Sequence, residues 1–193
     1  MTQPSARDRP RTARKEKRLT FAPGKALLVS RAAILATLSL ALVAMIALLP
    51  PIPLDALALL GGVLVAYGLL FLLSPLLTNH WLTRSRLILR QGWYFRTVIP
   101  FSEIESIVPA DREGPLHAPL GVHRPLGQPV MFVTGGRTGL MSLRLRRPRR
   151  FWQSFGLAVR EIVFDVSDRT RFLEAYEERR SLLAPVEPER PYA

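Results

Sequence analysis

The chain has 193 residues, a formal net charge of +12 and no cysteine. That length allows one ordinary domain plus membrane segments, or two small domains. The missing cysteine excludes disulfide frameworks, thiolate metal sites and cysteine nucleophiles, and it fits a domain facing a reducing compartment.

The charge is unevenly placed. Residues 1–31 hold nine Lys or Arg against two acids, and residues 79–193 hold 18 Arg against 12 acids. Between Arg31 and Arg84 there is no Lys or Arg, and Asp55 is the only charge. Residues 1–25 are therefore expected to be a basic, disordered cytoplasmic tail. Of the 27 basic residues only Lys15, Lys17 and Lys25 are lysines. With abundant Ala, Leu and Pro, this reads as the coding bias of a GC-rich bacterium.

Residues 26–78 predict a transmembrane hairpin with spans at about 28–49 and 56–77. Ala32 to Leu49 gives 18 uncharged residues and Ala56 to Leu77 gives 22, against the roughly 20 needed to cross a hydrocarbon core. Arg31 is expected to snorkel to the interface. Pro50, Pro51 and Pro53 cannot continue a helix, so the two spans are antiparallel neighbours. A signal peptide followed by one anchor is the first competing reading; the apolar run is too long for it and lacks a cleavage site. A buried hairpin of a soluble protein is the second, and such helices keep a polar face. The basic tail, the uncharged connection and Arg84, Arg86, Arg90 and Arg96 after the second span place both termini on the cytoplasmic side. Trp81 falls where an interfacial aromatic is expected. Gly61, Val65 and Gly68 offer a small-residue face toward alanines 33, 36 and 44. No ionisable group lies deep in either span, which argues against a pump or channel.

Residues 79–183 predict a cytoplasmic, β-rich domain. Leu82 to Arg90 alternates at period two, Gln91-Gly92 turns, and Trp93 to Ile99 reads as a second strand. After a bend at Phe101–Ile104 comes a third strand, Glu105–Val108. Residues 109–129, rich in proline and glycine, predict a loop. Val130–Thr134 and Leu140–Arg146 predict a hairpin joined through Gly135-Gly136-Arg137, with Met141, Leu143 and Leu145 on one face and Ser142, Arg144 and Arg146 on the other. Pro148 is expected to break the strand. A last strand, Glu161–Val166, leads to Asp168 as N-cap of a helix from about Arg169 to Leu182, with Phe172, Leu173, Tyr176 and Leu183 as its apolar stripe. Residues 184–193 predict a disordered tail.

The run Leu82-Thr83-Arg84-Ser85-Arg86-Leu87-Ile88-Leu89-Arg90-Gln91-Gly92 resembles the opening hairpin of bacterial pleckstrin-homology-like (PH-like) domains. Ile99-Pro100-Phe101-Ser102-Glu103-Ile104-Glu105-Ser106-Ile107 resembles the "I-P-x-x-x-I-x-x-I" that follows it there. Val166-Ser167-Asp168-Arg169-Thr170-Arg171-Phe172 resembles their final strand and helix start, with Arg169 in place of the usual proline. The resemblance covers roughly residues 26–183. It implies an α+β membrane protein: a two-helix hairpin, then a small antiparallel PH-like β-barrel or sandwich capped by one C-terminal helix. It implies no reaction.

The strongest chemical signal is Arg144, Arg146, Arg147, Arg149 and Arg150, running into Phe151-Trp152. In a domain tethered at a bilayer, the natural partner is the anionic lipid surface, worth on the order of 1 kcal/mol per basic side chain. The competing reading is a solvated positive-inside face with no ligand. Trp81, Trp93 and Trp152 are candidate interfacial or partner-binding aromatics. His117 and His123 match no metal motif; Glu103 and Glu105 lack a second acidic motif to make a catalytic pair; Gly135–Gly139 reads as a turn, without the Lys-Ser/Thr of a phosphate loop. No catalytic, metal or cofactor site is expected. The sequence thus predicts a non-enzymatic membrane protein of the bacterial cytoplasmic membrane that binds anionic headgroups, with a scaffold binding a membrane-associated protein as the alternative. Nucleic acid and small-molecule substrates are the weaker expectations.

Overall fold

A computed structural model of the protein describes residues 18–48, 52–110 and 118–183. In chain order the elements are β1 (Leu19–Phe21), α1 (Ala26–Leu48), α2 (Leu54–Leu76), β2 (His80–Leu82), β3 (Arg86–Gln91), β4 (Phe95–Pro100), β5 (Ile104–Pro109), β6 (Gly121–His123), β7 (Val130–Thr134), β8 (Leu140–Arg150), β9 (Ala158–Asp165) and α3 (Arg169–Ser181). The architecture is mixed α+β: two long apolar helices, two sheets and a C-terminal helix.

Each long helix has 23 residues, about 35 Å at 1.5 Å per residue, which is long and apolar enough to cross a membrane. Apart from Leu27 at the start of α1 and Ser74 and Pro75 at the end of α2, neither helix has a buried residue. Leu40, Leu48, Leu54 and Leu59 all stand exposed. The core helix of a soluble domain would be covered by its neighbours; these are bare. Gly68 meets Leu35 of α1, but a side chain at Gly61 or Gly62 would touch nothing, so those two do not form the expected packing face.

The hairpin is not strung on a linker. β1 precedes it and pairs antiparallel with β2, Leu19 opposite Leu82 and Phe21 opposite His80. The two helices are therefore an insertion between adjacent strands, held to the domain at both ends. This corrects the expected boundaries: the tail expected over 1–25 gives residues 19–21 to the domain, whose remainder begins near residue 80. Residues 1–17 and 184–193, expected to be disordered, lie outside the described residues, as do Asp111 to His117.

The first sheet has the order β1-β2-β3-β4 and the second β5-β8-β9-β7-β6. Among the described residues the two sheets do not close into a barrel. A 3₁₀ turn at Phe101–Glu103 carries the chain from β4 into β5 of the other sheet, with no ladder between those strands. The strand expected over 82–90 is split by a tight turn at Thr83–Ser85, where the Thr83 N–H and hydroxyl both donate to the Arg86 carbonyl. β7 and β8 do not pair as expected; β9 lies between them, parallel to β7 and antiparallel to β8. β9 supplies Val159, Ile162, Val163 and Phe164 to the interior. A strand apolar on both faces belongs at the centre of a sheet, and that favours this arrangement over a local hairpin. Pro148 does not end β8, which runs to Arg150 through a register shift between Arg144 and Arg149 that accommodates the missing N–H.

Helix α3 closes one end of the space between the sheets. Asp168 caps it, accepting the Arg171 N–H at 3.0 Å, which satisfies an otherwise orphan donor. Phe172 stands edge-on to Phe21 (5.1 Å) and Phe164 (5.5 Å), and Tyr176 to Phe101 (5.2 Å). Full burial of each ring is worth roughly 1.5–3 kcal/mol. The apolar stripe read from the sequence is the packed face.

Candidate functional site

The end of the domain nearest the hairpin holds several paired polar groups, with the buried Nε2 of His80 and Oε1 of Gln91 left without a hydrogen-bond partner among the described residues. Position 75 is proline, so the Phe71 carbonyl lacks the N–H that would normally reach it from four residues on. Arg31 of α1 supplies the donor across the hairpin at 2.9 Å, and the same nitrogen reaches the Tyr94 hydroxyl at 3.1 Å. Its guanidinium lies over the rings of Phe71 and Tyr94. Arg31 does not snorkel outward; it ties both helices to the β3–β4 turn. The turn is fastened again by the Trp93 N–H to the Ser74 hydroxyl oxygen (2.7 Å) and the Gly92 N–H to that of Thr78 (2.9 Å).

Asp165 completes this end from inside. It is fully buried at the end of β9, and its carboxylate accepts the N–H groups of Gly24 and Gly135, the latter at 2.6 Å. Gly24 and Gly136 approach so closely that a Cβ on Gly24 would lie 2.6 Å from the Gly136 Cα. Only glycine allows that contact. Burial pushes Asp165 up to about 6, against the pull of the N–H groups. His80, also buried, is pushed down to about 4 by desolvation, with the Asp165 carbonyl opposing; its Nδ1 accepts the Arg90 N–H at 3.2 Å. The Leu27 N–H donates to the Gly135 carbonyl at 2.8 Å, so α1 starts from the same anchor.

Next to the anchored turn is an exposed apolar loop. The Gln153 side chain donates to the Tyr94 carbonyl at 3.5 Å, which sets the 3₁₀ turn Trp152–Ser154 beside Arg31's partner. The Ser154 hydroxyl bonds Phe151 and Leu157 and is buried, so the turn itself is ordered from within. Yet Trp152 is 86% exposed, Phe155 93% and, across the gap, Trp93 60%. Phe155 holds a left-handed φ of 53°, a conformation costing a non-glycine residue about 1 kcal/mol or more. Large aromatics are normally drawn inward; here a strained backbone turns one out.

The arginines of β8 do not act as one group. Arg144, Arg146, Arg147 and Arg150 are exposed, with Met141, Leu143 and Leu145 facing inward as expected. Arg146 donates to the Ile104 carbonyl (3.3 Å); Arg149 donates to the Val98 carbonyl (2.9 Å) and pairs with Glu103 (3.4 Å). Arg144 stands opposite Glu161. Arg146 and Arg149 are thus bonded to the domain's own carbonyls, and the register shift separates Arg144 from the rest. Trp81 sits half-buried in β2, one residue after His80, with the guanidiniums of Arg90 and Arg18 over its ring at 4.3 and 5.1 Å. His123 stacks on Phe132 (5.6 Å). The sequence reading missed Phe155, whose only signal was an aromatic before a glycine, and the role of Arg31, which needed Pro75 and Tyr94 to be seen together.

No protein-family model matches the chain, and no curated protein and no solved structure shows significant similarity to it. The PH-like resemblance therefore rests on the strings quoted above and on the order of the elements.

Proposed function

We propose that this chain is a non-enzymatic integral protein of a bacterial cytoplasmic membrane, with two spans and both termini cytoplasmic. In this reading it holds a PH-like domain against the inner leaflet, where the domain binds anionic lipid headgroups. The observation that carries it is the exposed edge of Trp93, Trp152 and Phe155 beside the Tyr94–Arg31 tie to two uncovered apolar helices. Aromatic rings at that level suit the headgroup boundary, where one side is apolar and the other wet. Arg147 and Arg150, exposed and close in sequence to the loop, face headgroup phosphates in this orientation. The lack of basic residues in the short helix connection, against nine in residues 1–31, supports that topology. The PH-like part is supported by two sheets with a C-terminal helix across one end, and the bacterial part by the scarcity of lysine.

The test is native mass spectrometry of the full chain in neutral detergent with equal phosphatidylglycerol and phosphatidylcholine. The anionic lipid should be retained preferentially, less so as salt rises and less in Arg147→Gln/Arg150→Gln. Equal retention of both lipids sinks the headgroup part. A salt-tolerant protein captured by crosslinking in the native membrane, dependent on Trp152, would then favour a scaffold.

A further inference from the structure

Positive charge also gathers on the outer face of the first sheet, where the sequence reading placed no site. Alternation along β3 sends Leu87 and Leu89 into the core and turns Arg86 and Arg90 the other way. β4 adds Arg96, which stands directly opposite Arg90 in the ladder. Like charges facing each other across strands destabilise a sheet. Arg90 and Arg18 lie over Trp81, which moderates the repulsion by cation–π attraction without neutralising it. None of Arg86, Arg90 and Arg96 has an acidic partner among the described residues. Arg18, Trp81, Thr83, Ser85, Arg86 and Arg96 line a cleft of about 530 Å³, and no carboxylate among the described residues lines it. That volume suits a small ligand.

We propose that this cleft binds a multiply charged, phosphate-bearing anion. Guanidinium groups match phosphate oxygens in bidentate geometry, and a bound anion removes the repulsion that the ladder otherwise carries. Arg86 lies at the far end of β3 from Gln91, about 17 Å along the strand, while Arg96, opposite Arg90, is next to the end whose Gly92 and Trp93 N–H groups bond Thr78 and Ser74 at the foot of the hairpin. The cleft therefore runs from that end outward, and its phosphate group can belong to a soluble small molecule or to a lipid headgroup. The inference does not rest on the contact of the Trp152 loop with lipid.

The experiment is calorimetric titration of the full chain, in nanodiscs of neutral lipid, with inorganic tripolyphosphate. The expected result is one site per chain, weakened roughly 10-fold or more in Arg86→Gln/Arg96→Gln and changed less than about 2-fold in Arg137→Gln/Arg160→Gln, which removes the same charge elsewhere. Without tripolyphosphate, the Arg86→Gln/Arg96→Gln variant should melt at or above the parent temperature, which separates loss of a ligand from loss of fold. A second arm uses nanodiscs containing phosphatidylglycerol. If tripolyphosphate is silent but the anionic lipid raises Tm only when Arg86 and Arg96 are present, the phosphate comes from a headgroup. If neither probe binds, or the control pair loses as much as the cleft pair, the proposal is overturned.

Discussion

The two ends of the domain treat polar groups in opposite ways. At the end against the hairpin, Arg31, Ser74, Thr78 and Asp165 are each spent on named backbone or hydroxyl partners. On the outer face of β1–β4, Arg90 stands opposite Arg96 with no acidic partner among the described residues. A polar group that is fully partnered is accounted for by the fold, whereas unneutralised like charges call for something outside it. The β8 arginines fall between, since Arg149 is held by Val98 and Glu103 while Arg150 is exposed.

The sharpest way to break that comparison is at Asp165. Asp165→Ala would leave the buried N–H groups of Gly24 and Gly135 without an acceptor, at a cost of roughly 3 kcal/mol or more. Thermal unfolding of the full chain should show a large drop in Tm, with Asp165→Asn intermediate because one acceptor oxygen remains. An unchanged Tm in the alanine variant would mean the anchored end is not held as described.

Acidity gives a second probe of the same end. Asp165 is raised to about 6 in the folded protein, so its contribution is present below its unfolded value of 3.8 and is lost as pH rises through 6. His80 is lowered to about 4, so its contribution is present above 6.5 and is lost as pH falls through 4. Between pH 4 and 6 the two slopes oppose, and parent stability should be nearly flat. His80→Phe removes one of them: its stability should fall as pH rises from 4 to 6, by about 3 kcal/mol at most. A flat profile in this variant would contradict the pairing of the two groups.

Arg31→Ala should cost about 2 kcal/mol by orphaning the Phe71 carbonyl and the Tyr94 hydroxyl. Arg31→Lys should rescue little, because an ammonium cannot stack between the rings while serving both acceptors. The smallest effects separate the arginine groups: Arg149→Gln should lower stability by about 1 kcal/mol, and Arg96→Gln should leave it unchanged or raise it by about 0.5 kcal/mol. Chemical denaturation of both variants, side by side, reads the difference directly.

These contrasts also explain what the sequence could and could not announce. The helical hairpin was legible because an interval with one charge between Arg31 and Arg84 admits few other solutions. The alternation of Met141, Leu143 and Leu145 with arginines was legible because a strand's period is local, and so was the Asp168 cap. β1 was not, since three residues carry too weak a pattern, and its partner lies across the whole hairpin. The position of β9 between β7 and β8 depends on which strand is apolar on both faces, which only comparison of all strands decides. Charge density pointed to Arg144–Arg150, where the run is continuous. The face formed by Arg18, Arg86, Arg90 and Arg96 comes from two strands and the residue before β1, and is assembled only by register. Asp165 looked like the end of a strand; its value lies in two glycine N–H groups far away in sequence.

The proposed membrane contact puts the Trp152 edge against lipid, and all three tryptophans are in the domain, none in the helices. The most direct measurement is therefore tryptophan fluorescence of the full chain in bilayers with acyl chains brominated near the headgroup. The expected result is strong quenching, most of which is lost in Trp93→Phe/Trp152→Phe. Fluorescence indifferent to the brominated lipid would show that the aromatic edge faces water or a protein, and the membrane-contact reading would be wrong.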